Sequence, residues 1–362
     1  MSLVDGFVGK GFEPVRGVFG EVVNELAGTG AGVAVWYDGA WVVDLRGGLA
    51  DAAGTRAWDA LNIVHTYSVT KPFVACCALV LAERGAIDLE SPMQRYWPEF
   101  RAPASVRQVL SHQAGVVALD EPTPTEVFYD WETMCRLLAA QEPEWDPGCA
   151  HGESALFYGY LVGELVRRVD GRSPGSFLRQ EVCGPLGLDF FVGLNSEERV
   201  RAVEVTGLDD RFRTDNADGR PELYRRATAN PPGAQDGRVV NGESWRRAEI
   251  PAVNGHGSAR GVAGLYAALL EGRLLSAGLI EDATSAQCSG FDRVFGHDNA
   301  WGLGFGVEDD CFGMGGLGGA YGGACPAGGY AIGYVTGSMG NHDAATSLEN
   351  ALRSCIGLPA LE

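Results

Sequence analysis

Lysine is what this 362-residue chain has least of: Lys10 and Lys71 stand alone among 28 basic side chains, the rest being arginine. Positive charge as a whole is scarce, since 47 acidic residues leave a formal charge of −19. Nucleic-acid affinity comes mainly from neutralising phosphates with clustered Lys and Arg, so this balance excludes nucleic acid and anionic membranes as partners. Long apolar runs are missing too. The longest, Pro72 to Ala82, has 11 residues, where a bilayer span needs about 20, and Met1 to Lys10 holds no signal-peptide core. A cytoplasmic protein with no membrane attachment is expected. Nine cysteines, an odd number without C-x-x-C spacing, exclude a zinc knuckle and a complete disulfide framework. Most of them read as reduced, buried, small apolar residues. The six histidines show no H-E-x-x-H or comparable spacing, so neither a metal nor a cofactor is expected.

Glycine is abundant instead, 52 residues in clusters, which points to many turns and close backbone approaches. The spacing predicts a helix near Glu13 to Leu26, then a hairpin from Gly32 to Leu45 across Asp38-Gly39. A helix follows from Ser68 to Arg84, closed by Gly85 in the place of a left-handed cap. Short helices come next at Trp131 to Gln141, Ala155 to Val169 and Ser176 to Val182. Asp209 to Asn241 is polar and rich in Pro, Gly and Asn, and reads as a plain surface loop rather than a lid. Helical spacing returns at Ser258 to Leu270, three glycine-punctuated strands are expected at Trp301 to Phe305, Gly318 to Cys325 and Gly329 to Gly337, and Asp343 to Cys355 is the last helix. Strands at both ends with helices between them predict an α/β (α+β) fold, with residues 1–70 and 251–362 forming a sheet domain and 71–250 an inserted, mainly helical one.

A lysine inside a buried-looking helix needs a reason, and a reversible proton is one, because arginine effectively cannot lose its own. Lys71 follows Ser68 by three residues, so both side chains share one face of the first helical turn. Ser68-Val69-Thr70-Lys71 is an S-x-x-K pattern whose chemistry is nucleophilic. The hydroxyl needs an adjacent base, and the helix start offers N–H groups to a developing oxyanion. Gly313, Gly315 and Gly318 spell a dinucleotide fingerprint, but strand-like residues follow where a helix belongs, so no cofactor is read from it.

Several blocks then align in one order: His65 to Lys71, Leu110 to Gly115, Pro147-Gly148, Gly159 to Gly163, Gly184 to Leu188, Trp301 to Phe305 and Met314-Gly315-Gly316. In these the chain resembles the serine β-lactamase-like superfamily, particularly class C β-lactamases and family VIII carboxylesterases. The resemblance spans most of the sequence and implies an antiparallel sheet flanked by helices, an inserted helical domain, and a site between the two. It also implies a tyrosine about 85 residues after the serine that relays the serine proton. Glu153 stands there instead, and the nearest tyrosine, Tyr158, is turned away by its helical angle.

A tyrosine must be strongly acidified before it acts as a base near neutral pH, whereas a glutamate, with a reference pKa of about 4.3, is already anionic. Glu153 is therefore read as the base toward Ser68, with Lys71 held as an ammonium that positions the hydroxyl. The competing reading makes Glu153 a plain ion-pair partner at a helix start. His151 is a candidate for touching substrate or orienting Glu153, and the alternative, a histidine satisfied by backbone, is the preferred reading. Ser154 reads as a helix cap, since Gly152 to Leu156 lacks the last glycine of a G-x-S-x-G elbow.

In the family the third motif is a sheet-edge triplet carrying a cation and a hydroxyl, and here it reads Met314-Gly315-Gly316. Its glycines let substrate approach the strand, and the Leu317 N–H would join that of Ser68 as the oxyanion hole. Without the cation an anionic lactam is poorly anchored, while an uncharged ester loses less. The expectation is a serine carboxylesterase acting on small uncharged esters, as a monomer or homodimer. β-Lactamase, D-aminopeptidase and other amide hydrolysis are the alternatives on the same fold. A non-catalytic ligand-binding protein is the alternative of another class.

Overall fold

The computed structural model describes residues 4–26 and 28–361. The strands are β1 (Val4–Val8), β2 (Gly30–Tyr37), β3 (Ala40–Gly48), β4 (Val64–His65), β5 (Phe190–Phe191), β6 (His256–Gly257), β7 (Cys288–Phe291), β8 (Asp298–Trp301), β9 (Gly306–Glu308), β10 (Cys311–Gly315), β11 (Tyr321–Cys325) and β12 (Tyr330–Thr336). Nine of them form one antiparallel sheet in the order β1-β3-β2-β12-β11-β10-β9-β8-β7, so the strands β1 to β3 from the start of the chain and β7 to β12 from its last third are joined side by side. β4, β6 and β5 make a small second sheet.

The expected hairpin is β2 and β3. Asp38 and Gly39 both take positive φ, 45° and 85°, the mirror-image turn whose twist matches that of the strands it joins. Val33 faces Leu45 and Val35 faces Val43, and a bulge after Val35 sets Trp36 opposite Trp41. One face of the sheet buries Val33, Val35, Val43 and Leu45 under the Glu13–Glu25 and Asp343–Cys355 helices. The helix Ala259–Leu270 packs on the other face, against β2, β11 and β12.

The helix Thr70–Glu83 is buried from Thr70 to Leu81 on every side, the mark of an internal helix. It lies against Tyr158–Asp170, and Gly85 ends it at φ 71°. No helix among the described residues is long and apolar enough to cross a membrane.

Four expectations need correction. Ser68 stands in a 3₁₀ turn, Tyr67–Val69, that leads into the helix at Thr70. The helix expected from Ala155 begins at Tyr158, because the Ala155 carbonyl is turned toward Lys71 Nζ (3.1 Å). The strand expected over Trp301 to Phe305 ends at Trp301, where Gly302 N–H closes a turn onto Phe305 O (2.8 Å). Residues 209–241 are not a plain loop: they hold the helices Asp210–Ala217, Glu222–Ala229 and Gly237–Val240. Tyr224, Ala227 and Thr228 of the second are buried, which gives the segment an inner face.

Candidate active site

The nucleophile turn is held in a conformation side chains rarely adopt. Tyr67 has φ 49°, a strain of about 1–3 kcal/mol that surrounding contacts must over-determine. They do so from both sides. Thr70 Oγ1 donates to Tyr67 O (2.5 Å) and accepts the Gly255 N–H (2.8 Å), while the Tyr67 hydroxyl donates to Ala234 O (3.0 Å). The result lifts Ser68 out of the helix start and onto a cavity wall.

Lys71 lies beneath it. Its Nζ is 2.7 Å from Ser68 Oγ and 2.8 Å from Glu153 Oε1, and the two side chains of the ion pair are 0% and 9% exposed. The carbonyls of Ala155 (3.1 Å) and Ala252 (3.3 Å) also accept from Nζ. Two carbonyls and a carboxylate can only accept, and with the Ser68 hydroxyl they make four acceptors that share the three protons of an ammonium. Burial draws the Lys71 pKa below its usual range, and the Glu153 carboxylate opposes this by charge and hydrogen bond. Ser68 Oγ stands 3.3 Å from the same Glu153 Oε1, so one carboxylate oxygen meets both hydroxyl and ammonium.

Glu153 is fixed through its backbone. Its N–H donates to Asp292 Oδ2 (2.9 Å), and the neighbouring Ser154 N–H donates to His112 Nδ1 (3.1 Å). His112 is neutral at that point, since burial and then the Lys71 charge hold its pKa well below the usual range. Asp292 is fully buried, and its other oxygen accepts the N–H groups of Val294 and Phe295, each at 2.8 Å.

The end of β10 completes the wall. A Cβ on Gly316 would lie 2.3 Å from Thr66 O, so only glycine lets the strand press against the nucleophile turn, whereas a Cβ on Gly315 would meet nothing within 4 Å. Space for a substrate is therefore left beside Gly315. Met314, Gly315, Gly316 and Leu317 line one side of a cavity of about 500 Å³ that also reaches Ser68 and Glu153. Asn216, Arg220, Tyr224 and Gln235 line it from the 209–241 segment, which thus serves as a wall over the site.

A sequence profile of the beta-lactamase family, described as Beta-lactamase, matches residues 15–354. The chain belongs to the beta-lactamase family. A protein described as Esterase/beta-lactamase LipL, from Mycobacterium tuberculosis, is 34% identical over 268 residues, which are 67% of this chain and 59% of that protein. The chain thus matches 59% of the length of LipL and 59% of that of another curated relative, Esterase EstB of Burkholderia gladioli. The crystal structure of a family VIII carboxylesterase is similar with a TM-score of 0.89 at 33% identity, over 98% of this chain and 100% of that one. A penicillin-binding protein homologue from Caulobacter crescentus gives 0.87 at 30%, over 98% and 100%.

Within this beta-lactamase-family site the structure brings Ser68, Lys71 and Glu153 together, with Met314, Gly315, Gly316 and Leu317 on the same cavity. Among the described residues no hydrogen bond is made by the Leu317 N–H. His151, expected at the substrate, does not line the cavity. It is buried with Nε2 3.0 Å from Asn299 Oδ1, and Asn299 in turn donates to Asp292. Ser154 is buried and donates to Val116 O (3.0 Å), and Tyr158 donates to Leu110 O (3.1 Å), away from the nucleophile. Trp301 lines the cavity while Phe305 is core. Asp292, the Tyr67 backbone and Arg220 were not anticipated. The only available signal for Asp292 was an acidic residue directly before an arginine in a turn, a pattern shared by most surface loops.

Proposed function

We propose that the chain is a serine carboxylesterase that cleaves small esters through an acyl-enzyme on Ser68. The observation that supports this best is one serine hydroxyl in contact with both a fully buried lysine and a carboxylate, on the wall of an accessible cavity. Ser68 Oγ bonds to the ester carbonyl carbon as its proton passes to Glu153, while Lys71 remains an ammonium that orients the hydroxyl and offsets the charge. The charge arriving on the carbonyl oxygen is received by the N–H groups of Ser68 and Leu317. Breaking the C–O bond to the alcohol returns the proton from Glu153 to the leaving oxygen. Water then attacks the acyl carbon, Glu153 takes its proton, and Ser68 Oγ departs and is reprotonated.

The absence of a cation at Met314-Gly315-Gly316 supports ester over lactam cleavage; of the relatives, EstB is named an esterase and LipL an esterase/beta-lactamase. The nine cysteines, all free thiols in the structure, support a reducing, cytoplasmic setting, and we take the working species to be a monomer or homodimer. The test is hydrolysis of 4-nitrophenyl acetate and butyrate by the native protein and Ser68→Ala, with covalent labelling by an organophosphonate. Loss of turnover and of label in Ser68→Ala is the expected result. Unchanged turnover in that variant overturns the mechanism, and an unlabelled native protein without turnover is the outcome for a ligand-binding protein.

A further inference from the structure

The β10 side of the cavity offers a substrate no cation, but the opposite wall does. Arg220, in the link between the helices Asp210–Ala217 and Glu222–Ala229, lines the same cavity as Ser68. Its guanidinium lies over the rings of Tyr224 (5.5 Å) and Phe295 (5.6 Å). One nitrogen, Nη1, is committed to Phe295 O at 2.8 Å and lies 3.4 Å from His297 Nδ1. The two ring contacts and that bond hold the group at the cavity wall. Among the described residues no carboxylate pairs with Arg220, in a chain where 47 acidic residues outnumber 28 basic ones.

Two of the six histidines, His297 and His342, line the cavity beside it; burial lowers the His342 pKa, the Asp343 carboxylate opposes this, and the Arg220 charge adds to the lowering. The carboxylates that reach the cavity, Glu153, Asp298 and Glu308, are all beyond ion-pair distance of Arg220. An arginine set between two rings at 79° to each other, partnered by carbonyl and imidazole only, has N–H groups left over for a carboxylate.

We propose that Arg220, with His297 and His342 beside it, is an anion subsite of the esterase cavity, selecting esters that carry a carboxylate remote from the scissile bond over their uncharged isosteres. The proposal rests on the esterase reading of Ser68. It places specificity on the 209–241 segment and not on the β10 triplet.

The experiment compares mono-4-nitrophenyl glutarate with 4-nitrophenyl valerate, and 4-acetoxybenzoate with phenyl acetate, so that the carboxylate is offered on the acyl and on the alcohol side. The quantity read is the charged-to-uncharged ratio of kcat/KM within each pair. In the native protein one pair favours the charged member. Arg220→Met lowers that ratio about tenfold, the scale of one charge-assisted hydrogen bond, and Arg220→Lys restores part of it. Raising ionic strength lowers the ratio in the native protein and leaves it flat in Arg220→Met. A general disturbance of the 293–299 loop by the substitution moves both members of a pair together and cancels in the ratio. A ratio unchanged in Arg220→Met for both pairs, or a native protein that prefers the uncharged member of each, overturns the subsite. Failure of Ser68→Ala to abolish hydrolysis of the uncharged esters is the separate signature that the esterase reading itself is wrong.

Discussion

Replacing Glu153 by Gln keeps the shape and one carbonyl acceptor but removes the charge 2.8 Å from Lys71 Nζ and 3.3 Å from Ser68 Oγ. Coulomb's law at an effective dielectric of about 20 makes the lost attraction roughly 6 kcal/mol. Most of that offsets the cost of desolvating the two ions, and breaking a buried pair typically costs about 3–5 kcal/mol. Two features bring the expected loss to about 2–4 kcal/mol: the amide oxygen still accepts from Nζ, and Lys71 can shed its proton. Burial already lowers the Lys71 pKa, and Glu153 is what opposes it. Without Glu153 the folded-state pKa falls further, and between that value and the unfolded one only the unfolded chain holds the proton. Stability rises with pH wherever the unfolded state binds more protons, so the deficit of Glu153→Gln, measured by urea unfolding, should be smaller at pH 9 than at pH 6.

Activity follows the same proton. Loss of a general base costs about 10²–10⁴ in kcat, and the residual rate should climb with pH as neutral Lys71 substitutes for the missing carboxylate. The assay is kcat for 4-nitrophenyl butyrate from pH 6 to 9. A variant within about threefold of native kcat at pH 7 refutes Glu153 as the base, because no carboxylate-dependent step would then limit turnover. A hundredfold loss with a flat pH profile refutes the second half of the reasoning, that Lys71 titrates once its partner is gone.

Asp292→Asn places an NH₂ group against backbone N–H donors that now share a carboxylate, and should cost about 2–4 kcal/mol of stability. As Asp292 holds the Glu153 N–H, kcat should drop at least tenfold with a smaller change in KM, while a variant that unfolds more easily yet keeps native kcat would make Asp292 purely structural. His256 is fully buried and its pKa is pulled down to about 3, chiefly by desolvation. The folded state then refuses a proton that the unfolded chain accepts below pH 6.5, so this group's contribution is present above that pH and is lost as pH falls, by about 3 kcal/mol at pH 4. Imidazole ¹⁵N spectra should show His256 neutral down to pH 4, and a midpoint near 6.5 in the folded protein would sink this account.

The parts of the molecule that were legible are those in which neighbours in sequence are neighbours in space. Ser68 and Lys71 share a helical face by their spacing alone, Asp38-Gly39 can make only one sort of tight turn, and the apolar stripe of Asp343–Cys355 marks that helix at both ends. Glu153 was legible at one remove, because a glutamate stood where the resemblance called for a tyrosine. Asp292 was not legible, since its worth lies in accepting an N–H from a residue 139 positions earlier. The 209–241 helices were hidden for another reason. Asp210–Ala217 buries no side chain and Glu222–Ala229 buries three, so neither shows the wide apolar stripe by which a helix is read, and the Pro, Gly and Asn between them spell loop.

That blind spot falls on the part of the site where charge matters most. At the catalytic end the departure from tyrosine to glutamate makes the buried group a closed pair, Lys71 with Glu153, at 0% and 9% exposure. A tyrosine there, neutral at its reference pKa of about 10, would leave the lysine to lose its proton or stay uncompensated in the protein interior. Because the pair is closed, it has no charge left over to attract a substrate anion, and the adjacent β10 triplet supplies none. Arg220 is the arginine that lines the cavity without a carboxylate partner. Catalytic charge and recognition charge are thereby separated, one sealed beneath Ser68 and the other exposed on the helical wall. A substitution at Arg220 should therefore alter which ester is chosen without touching how the serine is activated, and a substitution at Glu153 should do the reverse.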